Sequence, residues 1–224
     1  MIINKYFKHN PTDSVLFAMD AFDIPVLSNP ALEEVAKYRG HYTCKINPLE
    51  CKKILYENDF YYCDTLLEPY CSKDCFIYFE NKLSTISDAG KLEDLLRICE
   101  NAFVHGRFHR DFKVNKMMAD QRYSNWLKYL YDKKLTYILY YANNLAGFVA
   151  YTDNKLVLHA LHSDYRGKGL AKYFWSRVCK DLFSKGHHEI TSSISATNLA
   201  AINLYSSLGF KFRNALDIYH RVVK

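Results

Sequence analysis

The amino-acid sequence predicts an α/β (α+β) protein, and three observations support this fold class. Apolar runs of strand length alternate with segments of helical periodicity along the 224 residues. A turn with two glycines, at residues 166–171, joins an apolar run to a helical segment. Hydrophobic residues make up 49% of the chain, which is enough to build a substantial core.

The first eighty residues predict a small α/β unit. A turn-rich start at residues 10–14 is followed by short strands and helices. The predicted strands cover residues 21–27, 41–46 and 60–67, and the predicted helices cover residues 31–38 and 47–58. Charged and polar residues at 80–87 mark a boundary, so we predict one domain at residues 1–80 and a second at residues 81–224.

The second domain is predicted to begin with two helices and three strands. Asp88 caps the first helix, which ends near His105. Asn143-Asn144 is a two-residue hairpin turn between two strands. The other predicted helices cover residues 113–131, 168–185 and 198–208, and the predicted strands cover residues 135–142, 145–151, 155–161, 188–195 and 210–223.

The glycine turn has the composition of an anion-binding site. Gly167 and Gly169 allow a tight turn and a close approach to a ligand, and the free amides of the following helix point to the same place. Such helix starts attract phosphate groups. The spacing fits neither the dinucleotide nor the triphosphate fingerprint. A plain strand-to-helix turn is the alternative.

The pattern Arg166-x-x-Gly169-x-Ala171 resembles the pyrophosphate-binding motif of the GCN5-related N-acetyltransferases (GNAT). The resemblance implies a central mixed, largely antiparallel, splayed sheet flanked by helices. It also implies that backbone amides of the turn hold the diphosphate of acetyl-CoA, the donor substrate. The residues concerned are Arg166, Gly167, Lys168, Gly169, Leu170 and Ala171.

A second motif lies about thirty residues further on, where Asn198, Ala201 and Tyr205 share a helix face. The pattern, which continues to Gly209-Phe210, resembles the second GNAT motif. The resemblance implies that Asn198 contacts the pantetheine arm and that Tyr205 protonates the departing thiolate. Amine attack on a thioester does require an acid at sulfur and donors at the oxyanion. The alternative for Tyr205 is a core aromatic residue.

The end of the strand before the glycine turn supplies further candidates. By resemblance, a backbone amide near Leu161 or His162 contacts the acetyl carbonyl. His159 and His162 are candidate general bases because neutral imidazole accepts a proton, and His162 is carried forward as a catalytic candidate. Deprotonation through water is the alternative.

The acceptor is predicted from a narrower resemblance that covers nearly the whole chain. Residues 60–66, the segment 107–111 and Tyr123-x-x-Trp126 resemble nucleotide-sugar N-acetyltransferases of the TDP-fucosamine acetyltransferase type. His105-Gly106 departs from that pattern. The resemblance implies acetylation of a TDP- or UDP-linked deoxyamino sugar in lipopolysaccharide O-antigen biosynthesis. The candidate substrate-binding residues are Arg107, Phe108, His109, Asp111 and Tyr123.

An arginine next to an aromatic ring and polar groups suits a diphosphate sugar. For each residue of the 107–111 segment, the alternative is a helix-to-helix connection with a local salt bridge. The cofactor motifs also fit acetylation of a peptide, a polyamine or an antibiotic amine, and a non-catalytic CoA-binding module is a further alternative.

Composition limits the remaining function classes. The net charge of +6 has no basic block, which argues against nucleic-acid binding. No apolar run reaches the length of a membrane span and no secretory signal is present, so we expect a cytoplasmic protein. The seven cysteines form no CxxC pair and predict reduced thiols, and we expect no metal. A homodimer is one alternative for the oligomeric state.

Overall fold

A computed structural model describes residues 5–100 and 102–224. Its contacts divide the chain into two compact units. Unit 1 contains Met1–Leu66, Val104–Arg122 and Asn214–Lys224, and unit 2 contains Leu67–Phe103 and Tyr123–Arg213. The domain boundary predicted after residue 80 stays a prediction.

Eleven strands and eight helices lie in the described residues. In chain order they are β1 (Lys8–His9), α1 (Pro11–Phe17), β2 (Ala21–Ile24), α2 (Asn29–Val35), β3 (Gly40–Ile46), α3 (Lys53–Tyr56), β4 (Tyr61–Ser72), β5 (Ser84–Ser87), α4 (Leu92–Cys99), α5 (Arg107–Arg110), α6 (Lys116–Asp132), β6 (Thr136–Tyr141), β7 (Asn144–Thr152), β8 (Lys155–Leu161), α7 (Ala171–Ser184), β9 (Glu189–Ser192), β10 (Ile194–Ser195), α8 (Leu199–Ser207) and β11 (Lys211–Val223).

The strands of unit 1 follow the order β1, β2, β3 and β11. β2 and β3 are parallel, whereas β11 runs antiparallel to β3, with His220 opposite Thr43. Short helices begin at capped positions: Asn10 accepts a hydrogen bond from the amide of Asp13, and Ser28 accepts one from Ala31. The segment at residues 10–14, predicted as a turn, therefore forms the cap and start of α1.

The core of unit 1 is aromatic and aliphatic. Its buried residues are Phe7, Phe22, Ile24, Ala31, Leu32, Val35, Tyr42, Cys44, Ile46, Leu55, Phe60 and Tyr219. The helix predicted at residues 47–58 is only α3, one turn long, with Leu55 as its one buried residue. Residues 47–50 instead form a turn in which the Glu50 amide donates to the Asn47 carbonyl at 3.0 Å.

The sheet of unit 2 follows the order β4, β9, β8, β7, β6 and β5. Strand alternation sends Tyr137 and Leu139 into a core with α7 and α8, and sends Ile138 into a core with α4 and α6. Helices therefore cover both faces. Only the β8–β9 pair in this order is parallel, so the predicted mixed, largely antiparallel sheet flanked by helices is confirmed.

The parallel pair β8–β9 diverges soon after it forms. In the described residues, β8 pairs with β9 only at Lys155 with Thr191 and at Leu156 with Ser192. The rest of β8 continues to Leu161 along β7 alone. The predicted splay of the sheet is present here, and it leaves one edge of the β8 end open.

Three local predictions in unit 2 need correction. The loop between β6 and β7 is Ala142-Asn143, both with positive φ, and Asn144 already pairs with Tyr141. The hairpin loop thus lies one residue earlier than predicted, because the two positive-φ positions define it. α4 ends at Cys99 and not near His105 as predicted, and residues 84–87 form β5 on the sheet edge. α4 begins after Lys91, so Asp88 is not its cap.

The seven cysteines are all described and none forms a disulfide, and the two exposed ones are Cys51 and Cys75. The other five are buried, in agreement with the prediction of reduced, mostly buried thiols. None of the helices in the described parts of the chain is long and apolar enough to cross a membrane.

Candidate functional site

The glycine turn between β8 and α7 has the backbone that the sequence predicts. Gly167 has φ of 71° and Gly169 has φ of 68°, both in the left-handed region that favours glycine. A Cβ built at either position meets no heavy atom within 4 Å, so the turn faces open space. Glycine is required here by the positive φ of the backbone and not by a lack of space for a side chain.

The first turn of α7 is available to an anion. Leu170 is the N-cap and its side chain makes no capping hydrogen bond, so no side chain of the cap residue covers the free amides. Arg166 and Lys168 are exposed. Arg166 does not extend over the turn, since its Nε donates to the Leu161 carbonyl at 2.8 Å. Its side chain thus fastens the turn to the end of β8.

The end of β8 leaves one backbone amide on the open edge. The His162 amide donates to the Ala146 carbonyl at 2.8 Å. Donors alternate sides along an antiparallel ladder, so the Leu161 amide faces the opposite edge, where pairing with β9 has ended at Leu156. Of the two amides considered for the acetyl carbonyl, that of His162 is occupied and that of Leu161 faces the gap.

The second motif forms α8 as predicted. Asn198 is its N-cap, and its Oδ1 accepts from the Ala201 amide at 3.1 Å. Asn198 therefore has a structural role as a helix cap. The resemblance did not indicate this role, although Asn is a preferred N-cap residue. The Nδ2 group of Asn198 is not used by this cap.

Tyr205 is fully buried, and its hydroxyl lies 3.2 Å from Nε2 of His159 on β8. Burial lowers the pKa of His159 to about 4, so the imidazole is neutral near pH 7 and can accept this hydrogen bond. Burial also raises the pKa of Tyr205 above its usual value, so the phenol stays protonated. Tyr205 is therefore both a core aromatic residue and a protonated donor with a defined partner.

Trp175 on α7 is a neighbour of this pair that the sequence analysis missed. Its ring packs edge-on against His159, with centroids 5.0 Å apart. The buried indole Nε1–H meets the geometry of no hydrogen bond in the described residues, although it lies close enough to lower the pKa of Tyr205. Helical periodicity places Trp175 in the core, but it does not indicate that the indole N–H lies beside the Tyr205 hydroxyl.

His162 lies at the start of the turn and keeps 42% of its side chain exposed. Its Nδ1 accepts from the Asp164 amide at 3.3 Å. In the neutral ring with Nδ1 as acceptor, the proton lies on Nε2, so His162 can accept a further proton only at Nδ1, after the Asp164 amide releases this atom. The catalytic role of His162 stays a prediction.

Four of the predicted acceptor residues lie in unit 1, where they contact other protein groups. Arg107 lies 3.7 Å from Asp13, and Arg122 lies 2.7 Å from the same carboxylate. Both guanidinium groups lie over the ring of Phe108, at 4.5 and 4.6 Å. The ring of Phe108 is 1% exposed. The local salt bridge considered from the sequence is therefore present, and Arg122 is part of it.

The remaining predicted acceptor residues are also engaged. His109 lies 3.0 Å from Asp120, and the carboxylate of Asp111 contacts His220 and Tyr61. Tyr123, which belongs to unit 2, stacks on Phe103 with centroids 4.5 Å apart. The acceptor role of these residues stays a prediction.

The splayed mixed sheet and the glycine turn of unit 2 are the features expected of an acyl-CoA-dependent transferase. The sequence profile of the family "Acetyltransferase (GNAT) family" matches residues 102–210. That segment contains the glycine turn, the end of β8 and α8. This part of the chain, just under half of it, is therefore similar to the GNAT family, and the match indicates an N-acetyltransferase. Members of the family use acetyl-CoA as the donor.

Solved structures of low sequence identity share the fold. A GCN5-related N-acetyltransferase from Sphaerobacter thermophilus has 11% identity and a TM-score of 0.61, over 91% of this chain and 72% of its own. A conserved protein of unknown function from Staphylococcus epidermidis has 10% identity and a TM-score of 0.66, over 100% and 94%. A GNAT-family acetyltransferase from Colwellia psychrerythraea has 12% identity and a TM-score of 0.56, over 90% and 76%. No curated protein matches the chain.

Proposed function

We propose that this chain transfers an acetyl group from acetyl-CoA to the amino group of a nucleotide-linked deoxyamino sugar, either TDP- or UDP-linked. The observation that carries the donor half is the uncapped start of α7, preceded by two glycines with positive φ, at the open end of β8. Backbone amides of the 166–171 turn bind the diphosphate, and α8 lies in the same unit.

The reaction is a direct transfer without an acyl-enzyme. The acceptor nitrogen attacks the thioester carbonyl, a C–N bond forms, and the C–S bond breaks. The Leu161 amide stabilises the oxyanion because it points to the open edge of β8. Asn198 contacts the pantetheine arm through Nδ2, the atom that its cap leaves unused.

Tyr205 donates a proton to the departing thiolate. Its raised pKa keeps the hydroxyl protonated at neutral pH, which is the form that a general acid needs. In this step the hydroxyl exchanges His159 for the sulfur as its hydrogen-bond partner. The ammonium of the acceptor loses its proton to Nδ1 of His162, after the Asp164 amide releases this atom, or through water.

The acceptor half rests on the resemblance of residues 60–66 and of the 107–111 segment to nucleotide-sugar acetyltransferases. Arg107, Phe108, His109, Asp111 and Tyr123 are the proposed acceptor residues. The exposed part of Arg107, 14% of its side chain, is the portion that remains available to a sugar nucleotide. The enzyme would act in the cytoplasm in lipopolysaccharide O-antigen biosynthesis, and a homodimer stays a prediction.

The test is thiol release from acetyl-CoA by the purified chain, with a panel of TDP- and UDP-amino sugars. We expect turnover with at least one member and N-acetylation of its amino group by mass spectrometry. Intact acetyl-CoA binding without turnover on any member would refute the acceptor assignment. Turnover with a polyamine, a peptide or an antibiotic amine in the same assay would assign the other acceptor class.

A further inference from the structure

Three buried side chains of unit 1 converge from distant parts of the chain. His41 lies on β3, Asp111 follows α5, and His220 lies on β11. They are 3%, 2% and 0% exposed, respectively. Asp111 Oδ2 lies 2.6 Å from Nδ1 of His220 and 3.4 Å from Nε2 of His41. The acetyl transfer proposed above uses neither histidine, and the buried Asp111, proposed there for the acceptor, is assigned here to the ion instead.

The geometry points to a metal site: we propose that His41, Asp111 and His220 bind one divalent transition-metal ion of the zinc type. One ligand atom from each residue lies within 4.8 Å of the others. An ion about 2.1 Å from each of three ligands holds these atoms roughly 3 to 3.5 Å apart. The two separations from Asp111 Oδ2, 2.6 and 3.4 Å, lie within a fraction of an ångström of that range. The two imidazole nitrogens, at most 4.8 Å apart, approach by up to about 1.3 Å to reach it.

The ligand set identifies the kind of ion. Two imidazoles and one carboxylate suit zinc and the neighbouring first-row ions, whereas calcium and magnesium prefer oxygen ligands. The site is closed, because all three side chains are buried. A closed site indicates a structural ion that joins β3, β11 and the segment after α5 within unit 1, and not a centre that activates water.

The surroundings already hold the carboxylate in place. Asp111 Oδ1 accepts from the Lys113 amide at 2.8 Å and from the Tyr61 hydroxyl at 3.0 Å. These donors orient the carboxylate through Oδ1, so Oδ2 is directed at the two imidazoles. Outer contacts of this kind orient metal ligands in proteins. The Tyr61 hydroxyl also contacts Oδ2, at 3.2 Å, and is the candidate for a fourth ligand oxygen.

The competing arrangement is a network of hydrogen bonds alone. In it, each imidazole donates to Asp111 Oδ2, and no ion is needed. That arrangement leaves His220 Nε2 buried without a partner in the described residues, and an ion on Nδ1 leaves the same atom unpaired. The unpaired atom therefore does not distinguish a bound ion from the hydrogen-bond network, whereas the measured metal content does.

The test begins with the wild-type full chain, expressed in medium with added zinc and purified without chelator. Elemental analysis by mass spectrometry is expected to give about one zinc ion per chain. After EDTA treatment the melting temperature should fall, and added Zn²⁺ should restore it. Less than a tenth of an ion per chain, with no shift of melting temperature on adding Zn²⁺, would overturn the proposal.

Variants locate the ion. Asp111→Asn and His220→Gln should lose the zinc, whereas His109→Gln, which changes another buried histidine of unit 1 paired with an aspartate, should keep it. Tyr61→Phe should weaken zinc affinity about tenfold. If Asp111→Asn does not fold, the wild-type EDTA and zinc titration still decides the question.

Cobalt distinguishes this site from the thiols. Co²⁺ added to the EDTA-treated chain should give a visible spectrum of nitrogen and oxygen ligands without a thiolate charge-transfer band. The spectrum should be unchanged in Cys63→Ser, which removes a buried thiol of unit 1. A thiolate band that disappears in Cys63→Ser would overturn the assignment to His41, Asp111 and His220.

Discussion

The two predicted binding regions differ in what forms them. The 166–171 turn consists of main chain in a conformation that requires glycine, and it is exposed. The 107–111 segment consists of charged and aromatic side chains that contact Asp13, Asp120, His220 and each other. A site made of backbone needs few residue types in fixed order. A cluster of side chains can have the same composition whether it binds a ligand or stabilises a core.

This difference explains why the structure supports the donor site at residues 166–171 more strongly than the acceptor site at residues 107–111. Two glycines with positive φ have no packing role, since a Cβ at either would meet nothing within 4 Å. Arg107 has a packing role, because it pairs with Asp13 and covers Phe108. Experiments that measure binding and stability separately can test this difference.

Replacing Tyr205 is expected to have the largest effect. Tyr205→Phe removes the proposed acid and should lower kcat about 100-fold or more, with little change in acetyl-CoA affinity. The rate of thiol release at saturating substrate gives kcat, and calorimetric titration gives the affinity for acetyl-CoA. Tyr137→Phe is the matched control, since Tyr137 is another buried tyrosine of unit 2, paired with Asp181. Equal kcat values for both variants would remove Tyr205 from the mechanism.

The glycine turn should be nearly as sensitive. Gly169→Val forces a β-branched residue into a positive-φ position and should weaken acetyl-CoA binding about tenfold or more. Gly186→Val is the control, because Gly186 has φ of 97°, also meets nothing within 4 Å, and lies at the other end of α7. Both variants should lose stability. A similar loss of acetyl-CoA affinity in both would show that strain, and not the turn, sets binding.

Arg107 and Arg122 form a matched pair for the side-chain region. Each contacts Asp13, and each lies over Phe108, but only Arg107 is proposed to bind the acceptor. Arg107→Gln should raise KM for the sugar nucleotide about tenfold, while Arg122→Gln should change only stability. If neither variant changes KM, the cluster is structural and the acceptor binds elsewhere.

The smallest effect concerns pH. His159 has its pKa lowered to about 4 in the folded chain, against about 6.5 when unfolded. The unfolded chain binds more protons between these values, so the free energy of unfolding should fall as pH drops from 6.5 to 4. Because His159 keeps part of its surface exposed, we expect a loss of about 1–2 kcal/mol.

Urea unfolding at several pH values measures this dependence. His159→Gln should unfold more easily than the wild type at pH 7 and should lose part of the slope between pH 6.5 and 4. An unchanged slope in His159→Gln would assign the acid sensitivity to other groups.

The sequence predicted the strands and helices of unit 2 well because long periodic segments determine them. It failed where the signal was short. Ala142 takes a positive φ that residue type does not predict, and β5 is a four-residue polar edge strand. The open end of β8, the capping role of Asn198 and the partner of Tyr205 depend on register and on contacts across the chain. The convergence of His41, Asp111 and His220 likewise joins residues far apart in sequence.

The central claim is that the 166–171 turn holds the diphosphate of acetyl-CoA. The most direct measurement is a crystal structure of the chain with CoA. We predict diphosphate oxygens within hydrogen-bond distance of the amides at 167–171 and the pantetheine arm along the open edge of β8. CoA bound at any other place, with the first turn of α7 free of phosphate, would refute the assignment of this turn to the diphosphate.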